Sequence, residues 1–398
     1  MSIVSVVRCE EYEPQGVYNT IKECLRLIAA TNGFVRPGMK VLLKPNLLSP
    51  SQGPERAVNT HPVVIRALVD IFQRDYGCEV LIGDSCGSVR TASTFSAFRV
   101  TQIDKIARET GIKTVNFDKD DRIKVVNNNA RILKSFDVAK TVKDVDMVVS
   151  IPKLKTHGLT LYTGAIKNMF GSIPASGKKN VHLLAPKSKL MAQALVDVYE
   201  VMRPHISIMD AIIGMEGNGP NAGDPKKIGL MLASTDGVAL DAVASSIVGF
   251  NPMEVPIIRF AHERGLGTAD LTEISVFGEA IENVSVPDFK KPSSSSQDFA
   301  TKYVPNFLLS RMFHHSCTTV STIYQPNCTK CYECITNCPA KAMSASASGG
   351  QVIVDTDKCI GCFCCDEVCN FKAIRMKRTF IGETLLAMAK FLGVERVE

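Results

Sequence analysis

The feature that most restricts this 398-residue chain is a cysteine spacing that occurs twice near its C-terminus. Cys328, Cys331, Cys334 and Cys338 read C-x2-C-x2-C-x3-C with Pro339 next, and Cys359, Cys362, Cys365 and Cys369 repeat the spacing. Three thiolates on one tight loop can grip three corners of a metal cluster. A fourth ligand from the other run then crosslinks a segment with little apolar core of its own. Thiolates suit iron in preference to hard, oxygen-seeking metals. The alternative is a zinc ribbon, but that uses paired C-x2-C elements and leaves the triplets unexplained. Nine of the 14 cysteines lie between Cys328 and Cys369, while Cys9, Cys24, Cys78, Cys86 and Cys317 are scattered. This distribution argues for metal over disulfides and for a reducing, cytoplasmic compartment.

The repeat is the signature of bacterial two-cluster ferredoxins, in which the fourth cysteine of each run serves the other cluster. On that pattern Cys328, Cys331, Cys334 and Cys369 hold one [4Fe-4S] cluster, and Cys359, Cys362, Cys365 and Cys338 hold the second. Two details depart from it. Asn370 stands where the first run has a proline, and Cys364 is a ninth cysteine, read as an extra thiol near the cluster. Such a module relays single electrons, so a ferredoxin or other low-potential donor is the expected partner.

The first 280 residues alternate strand and helix signals. Ser2 to Val7, Lys40 to Leu43, Glu79 to Ile82, Ile112 to Val115, Met147 to Ile151, Ile206 to Ile213 and Ile228 to Leu232 read as strands. Helices are expected at Val17 to Thr31, Thr60 to Tyr76, Ile103 to Thr110, from about Thr160, at Ser188 to Met202 and at Val238 to Val248. This alternation predicts an α/β fold, a mostly parallel sheet with helices on both faces, joined to a small α+β ferredoxin-like domain. The expected division is an α/β domain over 1–285, a linker and docking segment over 286–320, and the cluster domain with a terminal helix over 321–398. The linker includes the run Lys290-Lys291-Pro292 followed by four serines; Phe307 to Phe313 and Ile381 to Leu392 are helix candidates.

The formal charge is +6. Two clusters, each at −2 with its ligands, would bring it to about +2. There is no run of Lys and Arg long enough to track a nucleic-acid backbone, so nucleic acid is not an expected partner. No signal peptide precedes the first strand, and no apolar stretch is long enough to cross a bilayer.

In α/β sheets, ligands sit beyond the carboxyl ends of the strands. Lys44-Pro45-Asn46 and Gly83-Asp84-Ser85 occupy such positions, although glycine, aspartate and serine also suit ordinary turns. Lys153-Leu154-Lys155-Thr156-His157 follows another strand. In an extended chain Lys153, Lys155 and His157 point the same way and suit an anion beside a neutral histidine; the alternative is a solvated basic loop. Lys167-Asn168-Met169-Phe170-Gly171, then Gly177-Lys178-Lys179-Asn180 and His182, form a Gly- and Lys-rich stretch. It lacks the spacing of a nucleotide phosphate loop, and no dinucleotide fingerprint is present. Asp210, with Glu216 on the glycine-rich segment behind it, can orient bases or bind a cation, or belong to an ordinary loop.

Together these motifs resemble the bacterial and archaeal family called domain of unknown function 362, over roughly residues 4 to 250. Members often carry a C-terminal two-cluster ferredoxin domain. The resemblance adds weight to the Lys and His positions and implies no particular reaction. The sequence expectation is an iron–sulfur oxidoreductase acting on an unidentified small anionic substrate or a further cofactor. In it Lys44, Asn46, Asp84, Lys167 and Asn168 bind, and Lys153, Lys155, His157, His182, Asp210 and Glu216 do the chemistry. The alternatives are an electron-transfer or maturation protein without its own substrate site, and a non-redox acid–base enzyme with structural or regulatory clusters.

Overall fold

The structure, a computed structural model, describes residues 1–28, 35–87, 91–293 and 319–378. The strands are β1 (Ser2–Arg8), β2 (Lys40–Pro45), β3 (Glu79–Asp84), β4 (Lys113–Asn116), β5 (Arg122–Val126), β6 (Ser135–Ala139), β7 (Met147–Ile151), β8 (Lys153–His157), β9 (Leu161–Thr163), β10 (Ile206–Glu216), β11 (Asp224–Ser234) and β12 (Ile274–Gly278). Eight of them lie in the order β12-β1-β11-β10-β7-β2-β3-β4, with β8 attached to β10 and β9 to β8. Pairing is parallel from β10 through β7, β2 and β3 to β4, and between β1 and β12. It is antiparallel where β11 meets β1 and β10. The sheet is therefore mixed. The reason is local: β10 and β11 are joined by a short glycine-rich turn, and strands joined that tightly must run antiparallel.

Neighbouring residues of the central strands face opposite sides. Val41, Leu43, Val149 and Ile151 pack beneath α1 (Pro14–Leu27), α2 (Pro62–Val69), α3 (Thr91–Val100) and α4 (Ile103–Thr110), against Val17, Ile21, Leu68 and Ile106. After the short α5 (Thr141–Asp144), the helices α6 (Ala165–Asn168), α7 (Ala175–Leu184), α8 (Ser188–Val201), α9 (Gly237–Ile247) and α10 (Pro256–Glu263) cover the other side, over Leu42, Val148, Met209 and Leu232. With both faces covered, β7 is apolar at every position but Ser150 and is buried throughout. The helix expected from Thr160 is displaced. Tyr162 N–H bonds back to the Thr160 carbonyl and Leu161 takes φ +65°, so the chain first turns into β9, which pairs with β8.

Residues 319–378 carry two antiparallel ribbons, β13 (Thr319–Ile323) with β16 (Ile374–Arg378) and β14 (Met343–Ala345) with β15 (Val352–Val354). They share a small apolar cluster around Ala342, Met343, Ala373 and Ile374. The expectation of a distinct ferredoxin-like domain is corrected here, because this region does not stand apart. Phe363 belongs to the large core, and a Cβ on Gly158 would come within 2.8 Å of its ring. Lys372 pairs with Asp224 at 2.6 Å, and Asn370 bonds to Ser51 and Asn221. Most of the expected linker, the Phe307 to Phe313 segment and the terminal helix fall outside the described residues. Among the described residues, no helix is long and apolar enough to cross a membrane.

Candidate functional site

Lys44 closes β2 and Asp84 closes β3, two neighbouring parallel strands, so both side chains emerge at one carboxyl edge. Lys44 Nζ donates to Asp84 Oδ1 at 2.8 Å, and both side chains are almost fully buried. Burial pulls the Lys44 pKa down, and Asp84 acts against it; burial likewise raises Asp84, opposed by Lys44 and Lys178. The other Asp84 oxygen accepts from Leu47 N–H. Gly171 lies directly over this pair. A Cβ there would collide with the Asp84 carboxylate and the Lys44 ammonium, which explains the glycine ending the Lys167–Gly171 motif.

Around this edge lies a cavity of about 70 Å³. Asn46, Lys167, Asn168, Lys178, His182 and Glu367 line it together with the Lys44–Asp84 pair. Asn168 is pinned by its Nδ2, which donates to the Lys44 carbonyl (3.2 Å) and Ser150 Oγ (2.8 Å). Lys178, on α7, donates to the Ser85 carbonyl (2.5 Å), Ser85 Oγ and the Cys86 carbonyl. Lys167 is half-buried and has no hydrogen-bond or ion-pair partner among the described residues. Its pKa is lowered by burial, with Glu367 acting against that.

Glu367 and Cys364, which also lines the cavity, come from the short helix Cys364–Glu367 of the C-terminal region. His157 Nε2 lies 3.2 Å from Glu367 Oε1, an ion-pair distance whose alignment falls short of a hydrogen bond. His157 Nδ1 accepts from the N–H groups of Leu159 and Thr160, so the proton of the neutral ring sits on Nε2, toward Glu367. Burial first, and Lys167 second, push His157 down to about 4. Burial favours the neutral form of Glu367, but His157, Lys167 and His182 outweigh it and hold the carboxyl below its usual range. His182 is lowered by burial, with Glu367 opposing.

Eight buried side-chain polar atoms have no hydrogen-bond partner among the described residues. Two of them, His157 Nε2 and Glu367 Oε1, face each other, and three more, Asn46 Oδ1, Asn168 Oδ1 and His182 Nδ1, belong to residues of this one cavity. Such atoms are costly to leave unpaired, and their concentration marks a place built for something else to fill.

The remaining expected site residues are elsewhere. Lys153, Lys155 and His157 share β8, and all three are buried, so the solvated-loop alternative fails; yet their side chains part company. Lys153 Nζ donates to Asp210 Oδ2 (2.9 Å) and Tyr12 Oη (2.7 Å). Tyr12 donates in turn to Asp210 Oδ1, and the Tyr12 ring stacks on His61 at 3.5 Å. Lys155 donates to the Val58 carbonyl, and burial holds its pKa well below the ordinary lysine value. Glu216 accepts from Lys290 N–H at the end of β10, a tether between chain segments. Glu367 was missed by sequence reasoning, since it is merely one of the residues spacing Cys365 from Cys369. Lys178 was visible only as part of a basic run.

The cysteine expectation needs correction. Cys328, Cys331, Cys334 and Cys369 line one small cavity, and Cys338, Cys359, Cys362 and Cys365 line another. No three sulfurs of either set come within 4.8 Å of one another. Among the described residues, the donor atoms that do gather so closely are those of His182, Cys362 and Cys364. One three-donor group thus stands where two tetracysteinyl ligand sets were expected. The two [4Fe-4S] clusters, the iron–sulfur oxidoreductase built on them and the ferredoxin-type donor are accordingly withdrawn from the functional reading.

A family model described as domain of unknown function (DUF362) matches residues 41–246. The thylakoid-associated protein sll1697 of Synechocystis sp. is 31% identical over 314 residues, covering 76% of this chain and 94% of that protein. Among solved structures, the lactate racemase apoprotein of Thermoanaerobacterium thermosaccharolyticum aligns over 62% of this chain with TM-score 0.41 and 8% identity. A Thermotoga maritima protein aligns over 58% with TM-score 0.38 and 15% identity. This chain spans 57% of each of those two structures, and likeness at this level carries no inference.

Proposed function

The chain belongs to the DUF362 family, and from its side chains we propose an acid–base enzyme acting on a small anion held at the carboxyl ends of β2 and β3. The observation that carries this reading is the gathering of three unpaired buried polar atoms and the unpartnered Lys167 around one cavity. Lys167 and Lys178 supply positive charge for the anionic group. Glu367, ionised and held by His157 behind it, is the base that removes a proton; His157 is its positioning residue. Once protonated, Glu367 hands the same proton back to the substrate, and His182, neutral near pH 7, offers its unpaired ring nitrogen as a hydrogen-bond acceptor.

Two measurements test this on the full chain, purified anaerobically with whatever metal it carries. Acetate titrated at constant ionic strength is expected to raise the melting temperature, and Lys167→Met to weaken that binding at least tenfold while folding normally. Unchanged affinity in Lys167→Met would remove the anion site. Incubation with small carboxylates in D2O is expected to exchange a carbon-bound proton, seen by NMR, and Glu367→Gln to abolish the exchange. Binding without exchange across the panel would leave a binding protein and end the enzyme reading.

A further inference from the structure

We infer that the ligand of this cavity is a small anion that also carries a hydroxyl group, so that a plain carboxylate or phosphate monoester binds more weakly than its hydroxylated counterpart. This rests on the anion site proposed above and specifies its ligand.

The argument begins with donors and acceptors. Asn168 cannot exchange its amide ends, because Nδ2 donates to the Lys44 carbonyl, which can only accept. Its unpaired atom is therefore an acceptor. His182 Nδ1 is the second unpaired position and accepts whenever the ring proton is on Nε2. A carboxylate or phosphate dianion offers only acceptors of its own, so it can meet Lys167 but leaves these atoms unpaired. A hydroxyl on the same molecule donates to one of them and accepts from a neighbouring lysine.

Charge separates hydroxyl from ammonium. Lys44, Lys167, Lys178 and Lys179 line the cavity against Asp84 and Glu367, so a cationic donor would meet an excess of like charge. Size sets the other bound. A space of about 70 Å³ accommodates roughly five waters, which fits a molecule of a few heavy atoms and excludes a nucleotide. A site with buried polar groups that need a partner discriminates strongly against an analogue lacking it.

The test uses matched probes on the unmodified full chain: acetate against glycolate, and ethyl phosphate against 2-hydroxyethyl phosphate, each titrated calorimetrically at constant ionic strength. The hydroxylated member of at least one pair is expected to bind at least tenfold tighter, and the pair with the larger gap tells whether the anionic group is carboxylate or phosphate. Equal affinities within both pairs would overturn the inference while leaving the anion site standing. No binding by any of the four would remove both.

Discussion

Asp210→Ala is expected to lower the unfolding free energy by about 3–5 kcal/mol, the scale of stripping one partner from a buried ion pair. Asp210 is fully buried and accepts from Lys153 Nζ, Tyr12 Oη and His61 N–H. Its removal strands the Lys153 ammonium, already pulled below its ordinary pKa by burial with Asp210 as the opposing influence. Tyr12 and the start of α2 lose their acceptor as well. The double replacement Lys153→Met with Asp210→Leu is expected to cost less than Asp210→Ala alone, because no uncompensated charge remains. Urea denaturation of the three proteins decides it. A single-mutant loss under about 1 kcal/mol would mean that the network bears little of the fold's stability.

The second large effect is a pH-dependent one, centred on His157. Its folded-state pKa is about 4 against an ordinary 6.5. A histidine depressed in this way stabilises the fold fully above its unfolded pKa and loses that contribution as pH falls through the window from 6.5 to 4. At 1.36 kcal/mol per unit the loss is about 3 kcal/mol. The parent protein alone will not display it cleanly. His61, also depressed to about 4, adds in the same direction, whereas Asp241 and Asp366, raised to about 7 by burial, act oppositely over the same range. The quantity to measure is the stability difference between the parent and His157→Gln. That difference should fall by about 3 kcal/mol between pH 7 and pH 4; a gap that stays constant would show that His157 is not held neutral.

The strand edges were legible because parallel sheets place their functional groups at carboxyl ends, and Lys44-Pro45-Asn46 and Gly83-Asp84-Ser85 stand there. Lys167 and Asn168 could be recognised by composition, although the reason for Gly171 needed the Lys44–Asp84 pair to be seen beneath it. His157 was identified, but its partner was not. Nothing in a residue between two cysteines signals that it will cross to the large domain and face a buried imidazole. Alternation along β8 placed Lys153, Lys155 and His157 on one side in principle, yet each found its own partner in a different segment. The antiparallel half of the sheet was missed because strand periodicity does not report direction. The cysteine spacing specified eight residues and their grouping around two cavities, but spacing does not fix how closely sulfurs approach.

One wall of the cavity arrives from the far end of the chain. Every strand of the sheet precedes residue 279, whereas Glu367 is added much later. At a synthesis rate of about 5–20 residues per second, a nascent chain on the ribosome carries the lysines and the sheet for some seconds before the acidic wall exists. During that interval the basic edge is open and balanced by Asp84 alone, so the newborn protein is a different electrostatic object from the finished one. A chain cut short by a premature stop codon after the sheet would remain in that state.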